Sequence, residues 1–178
     1  MPVKSVSHFA CTWNRQMLEE PTKEAIKGIV HDVDITAKNV KTDSFEGMEI
    51  HASNGYLIAG FLSFFQNKRT EEYSGCFQNR CRFLKEVYDK VCKNVGPDFP
   101  IIVRFSAVVD SVDGGGIAES CMLAKTLEGW VIDAINCSNG VYGSYNRAQV
   151  STLYAACLDL QVCRRAQGGR PHPGHIFQ

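Results

Sequence analysis

Pro100-Ile101-Ile102-Val103-Arg104-Phe105-Ser106 is the stretch on which the fold turns. It is β-branched or aromatic at nearly every position, as a short strand buried in a sheet is. Just before it, Gly96-Pro97 stops a segment over 77–95 in which Phe77, Cys81, Leu84, Tyr88 and Val91 recur at helical spacing. Just after it, Gly114-Gly115-Gly116 leads into a predicted helix over 117–127, and Val131-Ile132-Asp133-Ala134-Ile135-Asn136 reads as a further strand. Upstream, 22–42 is a predicted helix with Ile26, Ile29, Val30, Val33, Ala37 and Val40 on one stripe. Gly47-Met48-Glu49-Ile50-His51 then suits a short buried strand. Residues 52–76 read as a long polar and aromatic connection without periodicity, and 146–160 as a last helix.

Helices alternate with short apolar strands, which predicts an α/β fold with parallel strands covered by helices. An open doubly wound sheet and a closed barrel of strand–helix units both fit that alternation. Three strands are countable, against the roughly eight strands and 250 residues of a complete barrel.

The chain has 178 residues, of which 44% are hydrophobic and 21% charged, and nineteen basic residues balance nineteen acidic ones. Zero net charge excludes the electrostatic footprint of a general nucleic-acid binder, and it also speaks against intrinsic disorder. No apolar run approaches the roughly 20 residues of a membrane span, and 1–14 lack the apolar stretch of a secretory signal. A cytoplasmic protein is the expectation. The eight cysteines have no two-residue spacing of the kind that zinc knuckles, redox dithiols or iron–sulfur runs use. Cys81, Cys92, Cys121 and Cys157 fall on helical stretches, where a thiol acts as a small buried hydrophobe. No metal site is expected.

Catalytic groups of parallel sheets collect at the carboxyl ends of strands. The first strand ends in His51, followed by Ala52-Ser53-Asn54-Gly55-Tyr56. The second carries Arg104, and the third ends in Asn136-Cys137-Ser138-Asn139-Gly140. An imidazole, an amide, a phenol and a guanidinium are thereby delivered to one end of the sheet. Arg104 demands an anionic or strongly accepting partner on a strand that is otherwise apolar. Glu49 on the neighbouring strand could be that partner, or a ligand could.

The series His51-Ala52-Ser53-Asn54-Gly55-Tyr56-Leu57-Ile58, Phe61-Leu62-Ser63, Asn67-Lys68-Arg69-Thr70-Glu71-Glu72-Tyr73-Ser74-Gly75 and Asn79-Arg80-Cys81-Arg82-Phe83 resembles the old yellow enzyme family of FMN-dependent NADH:flavin oxidoreductases. Phe45-Glu46-Gly47-Met48-Glu49-Ile50 before it, and Val95-Gly96-Pro97-Asp98-Phe99-Pro100, Val103-Arg104-Phe105-Ser106 and Asp133-Ala134-Ile135-Asn136 after it, extend the likeness over roughly 22–142. Its flavour is that of the 2-enoate and 2,4-dienoyl-CoA reductase branch.

The resemblance implies a partial TIM (β/α) barrel over 22–163, between an N-terminal extension (1–21) and a polar C-terminal tail (164–178). It implies an ene-reductase that takes hydride from NADH or NADPH onto FMN and passes it to an enone, enoate or enoyl-CoA. Residue by residue, it implies that His51 and Asn54 donate to the substrate carbonyl, that Tyr56 protonates the α-carbon, and that Arg104 binds the flavin edge. Three departures fall in or just after the long connection: Phe64 stands after Ser63 where the family has Pro, Ser74-Gly75 where it has Gly-Gly, and Gln78 where it has Glu. Gln78 deprives a nearby arginine of a carboxylate partner. The family's phosphate-gripping strands and loops follow the matched region, and Gly114-Gly115-Gly116 reads as a turn, not as a phosphate cradle. Two expectations follow: a flavin module completed by further barrel, or a non-catalytic segment that binds no flavin. In either, self-association or a partner chain would cover the strand edges of an open barrel.

Overall fold

The computed structural model describes residues 3–10, 16–108 and 116–139. In chain order the elements are β1 (Phe9–Ala10), β2 (Met17–Leu18), α1 (Lys23–Thr42), β3 (Met48–Ala52), α2 (Leu57–Leu62), α3 (Phe77–Val95), β4 (Ile101–Val108), α4 (Ile117–Gly129) and β5 (Ala134–Asn139). The strands β3, β4 and β5 form a parallel sheet in that order, and β1 pairs antiparallel with β2.

α1 starts where the Thr22 hydroxyl accepts from the Ala25 amide at 3.1 Å, satisfying one of the free first-turn donors. Ile26, Val30 and Ala37 of its apolar stripe are buried, with Ile29, Val33 and Val40 partly so. α3 buries Cys81, Phe83, Leu84, Val87, Tyr88, Val91 and Val95 and stops at Gly96, whose φ of 85° suits glycine. Both helices meet the predicted bounds closely because each has one deeply buried face. Burial also pushes the Cys81 thiol up to about 11, which makes it an inert core residue.

Two elements differ from the sequence expectation. The connection over 52–76 contains α2, a helix of six residues. All six are apolar or glycine, so no polar face reveals a period. Phe61 of α2 is fully buried, with its ring 4.5 Å from that of Phe83. The third strand begins at Ala134, three residues later than the apolar run 131–136 suggests. Val131 has a φ of 64° and is 83% exposed, so it belongs to the turn that leaves α4. Asp133 then opens β5, its carboxylate accepting from the Ile101 amide at 2.8 Å. The predicted helix over 146–160 and the polar tail lie outside the described residues.

The N-terminal segment is held by the loop between α2 and α3. Val6 is fully buried in the core. Arg69, itself buried, donates from Nη1 to the carbonyls of Val6 (3.2 Å) and Pro21 (3.0 Å), and Asn67 donates to the carbonyls of Phe61 and Tyr73, both at 2.8 Å. The polar stretch 67–75 thus has a local role: Asn67 and Arg69 satisfy backbone carbonyls that no sheet or helix reaches. Among the described residues no helix is long and apolar enough to cross a membrane.

Candidate functional site

The parity of β3 and β4 decides what faces what. Ile50 and Ala52 of β3, and Ile101, Val103, Phe105 and Ala107 of β4, are buried with the helices. Glu49, His51, Ile102, Arg104 and Ser106 therefore take the opposite face, because successive strand residues alternate sides. The parallel register places His51 beside Arg104, and Arg104 beside Asn136 of β5. Imidazole, guanidinium and amide form one row across three strands.

After β3 the chain reverses sharply. Asn54 and Gly55 both have positive φ (57° and 77°), and the Tyr56 amide donates to the Ser53 carbonyl at 3.2 Å. This is the arrangement of a type I′ turn, for which Asn-Gly is the favoured pair. The turn returns Tyr56 to His51, with ring centroids 5.1 Å apart and a tilt of 53°. The Asn54 backbone N–H donates to Ser106 Oγ at 3.0 Å, which ties the turn to β4. Tyr56 stands at the start of α2 and remains about half exposed. His51, Asn54 and Tyr56 thus lie at the carboxyl end of β3, whereas Arg104 stands mid-strand in β4, beside His51 only because β4 runs on past the end of β3.

Glu49 and Asn136 complete the polar face. Glu49 Oε1 lies 3.3 Å from Arg104 Nε, and its Oε2 accepts from Asn136 Nδ2 at 2.7 Å. The ion pair has poor hydrogen-bond geometry: Arg104 Nε is buried and makes no hydrogen bond among the described residues. The protonated form of His51 is disfavoured, first by burial and then by the neighbouring Arg104 charge, with Glu49 opposing.

Sequence reasoning passed over Ser53, Ser106 and Glu119. Ser106 was accessible from parity, two residues beyond Arg104. Ser53 is fully buried, its Oγ lying 3.2 Å from His51 Nδ1 and donating to Asn54 Oδ1 at 2.7 Å. Glu119 of α4 supplies the carboxylate partner of Arg80 that Gln78 does not. Beneath the turn a cavity of about 70 Å³ lies against Ala52, Gly55, Leu62, Phe105 and Leu123. It is too small for a flavin.

The sequence profile of the NADH:flavin oxidoreductase / NADH oxidase family matches residues 4–153. The chain belongs to this family. It is similar to 12-oxophytodienoate reductase 2 of Arabidopsis thaliana, with 45% identity over 92 residues, covering 52% of this chain and 24% of the relative. It is 41% identical over 121 residues to an NADPH dehydrogenase of Bacillus subtilis, covering 68% of this chain and 35% of the relative. The solved old yellow enzyme homologue of Zymomonas mobilis superposes with a TM-score of 0.69 at 25% identity, over 79% of this chain and 43% of that one. The family thus confirms the fold as part of a TIM (β/α) barrel. The chain spans only 24% and 35% of the two curated relatives.

The family implies a flavin, and one face of the sheet has donors that suit it. Arg104 is a fixed cation whose Nε–H lacks a hydrogen bond, which matches the acceptor-rich pyrimidine edge of an isoalloxazine. His51 lies beside it in the same row.

Proposed function

We propose that this chain forms the substrate-side wall of an NAD(P)H-dependent, FMN-containing ene-reductase acting on the activated C=C bond of an α,β-unsaturated carbonyl compound. The observation that carries the reading is the convergence of His51, Asn54 and Tyr56 on one turn, with Arg104 in the register row of His51. The chemistry that FMN would supply here is hydride relay from NADH or NADPH to the β-carbon of the alkene.

The residues divide the remaining work. His51 and Asn54 hold the substrate carbonyl oxygen, and hydrogen bonds donated there stabilise the negative charge it gains as the β-carbon is reduced. Tyr56 gives its phenolic proton to the α-carbon, so that the charge on the oxygen collapses to the saturated carbonyl. Arg104 places positive charge against the flavin edge, where it favours the reduced ring. An enone, an enoate or an enoyl thioester all present the required carbonyl. The relative named as an oxophytodienoate reductase supports that class.

FMN is titrated into the protein while visible absorbance and fluorescence are followed, and both half-reactions of the loaded protein are then timed. Weak binding that saturates only at high FMN concentration is expected, with Tyr56→Phe slowing alkene reduction by roughly 10²-fold or more while leaving NAD(P)H oxidation largely intact. Equal loss of both half-reactions removes Tyr56 as proton donor. No saturable binding would leave the chain as a non-catalytic segment without flavin.

A further inference from the structure

Ser53 sits between the two residues assigned to the substrate oxygen and has a single hydroxyl proton. Its Oγ is 2.7 Å from Asn54 Oδ1, an acceptor, so that proton is committed to the amide oxygen. The other neighbour, His51 Nδ1 at 3.2 Å, can then satisfy the contact only by donating its own N–H to Oγ. Ser53 is 0% exposed, so bulk water does not compete for either contact. The three groups form one directed chain, from His51 Nδ1–H through Ser53 Oγ–H to Asn54 Oδ1. Asn54, with a positive φ of 57°, and His51, on the last turn-side residues of β3, are both held by the backbone, so the chain has fixed ends.

We propose that Ser53 is a positioning residue that holds neutral His51 as the Nδ1–H tautomer and fixes the Asn54 amide with its nitrogen as the donor end. The neutral pair then presents one acceptor, His51 Nε2, and one donor, the Asn54 amide nitrogen. In that state the Asn54 amide nitrogen donates to the substrate carbonyl oxygen, and His51 adds the second hydrogen bond when Nε2 also carries a proton. The meaning for substrate choice rests on the function proposed above; the tautomer itself does not.

The test is ¹⁵N NMR of the imidazole in the full-length, flavin-free protein at pH 8, with the His51 signals assigned by their loss in His51→Gln. Arg104 and Glu49 are the charged groups that act on His51. The wild type is expected to show a pyrrole-type Nδ1 and a pyridine-type Nε2. Ser53→Ala is expected to reverse the two, because the Nδ1 acceptor is gone, and to shift the Asn54 side-chain amide resonances. A wild-type His51 protonated at Nε2 overturns the proposal whatever the variant does. A Nδ1–H tautomer that persists in Ser53→Ala overturns it as well, by showing that Ser53 does not set it.

Discussion

Glu49 and Arg104 meet across β3 and β4 at 3.3 Å without a good hydrogen bond, and the same carboxylate accepts from Asn136 of β5 at 2.7 Å. One acidic side chain therefore spans all three parallel strands on the polar face. It partly offsets the Arg104 charge without satisfying Nε. Both side chains are over a third exposed or nearly so, at 39% and 34%, so their mutual attraction is screened and modest. The guanidinium is held in place and still able to donate.

Flavin affinity should depend on Arg104 more than on any other residue of the row. Arg104→Ala removes a charged hydrogen-bond donor, a loss of about 1.5–3 kcal/mol or roughly tenfold to a hundredfold in affinity. His51→Ala should cost less, since it faces the substrate in the proposed arrangement. Glu49→Gln should tighten binding by no more than about fivefold, the scale of a screened surface pair. Fluorescence titration of FMN against the three variants orders them. A larger loss in His51→Ala than in Arg104→Ala would undo the assignment.

The pH dependence of His51 follows from the same neighbours. Burial and Arg104 hold its pKa below the ordinary 6.5, so the folded protein binds this proton more weakly than the unfolded chain does. Stability from this group is then fully present above pH 6.5 and is lost as the pH falls from 6.5 through the folded value. Arg104→Ala should raise the His51 pKa and Glu49→Gln should lower it further, read as chemical-shift titrations of the imidazole. Identical titration curves in both variants would mean that burial acts alone.

The parts of this fold that could be read from sequence are those where one physical demand dominates. The stripe of Ile26, Val30 and Ala37 and the stripe of Leu84, Tyr88 and Val91 each bury one helix face, and their period is plain. The strand bounds placed His51 at the end of its strand, while Arg104 proves to be mid-strand in β4, and the observed register puts the two on one face. α2 was hidden because Leu57–Leu62 has no polar side to contrast with its buried one. Val131 and Ile132 looked like strand because they are β-branched, yet Val131 belongs to the turn after α4 and Ile132 to the irregular backbone before β5. The roles of Ser53 and Glu119 depend on contacts: Ser53 on a hydrogen-bond direction, and Glu119 on a partner 39 residues away. Composition carries neither.

That distant partner supports the site from below. The Arg80 side chain is 5% exposed and pairs with Glu119, which is 31% exposed. The same guanidinium donates to the carbonyl of Leu62 at 2.8 Å and of Gly75 at 2.7 Å. It therefore closes α2, whose first turn follows Tyr56, and anchors the start of α3. Removing Glu119 leaves a nearly buried cation with two carbonyl acceptors but no counter-charge, a state more costly than the loss of a surface pair. Glu119→Ala should lower stability by about 2 kcal/mol, at an unchanged urea m-value, because a charged hydrogen bond is lost without exposing new core. Glu119→Gln keeps an acceptor at the same reach and should recover part of that loss. Because Arg80 is the link between α4 and α2, the Ala variant should also shift the Tyr56 ring resonances, whereas a surface control such as Lys85→Ala should not. An Ala variant within about 0.5 kcal/mol of wild type, the range of ordinary surface changes, would show that the two carbonyls alone hold Arg80.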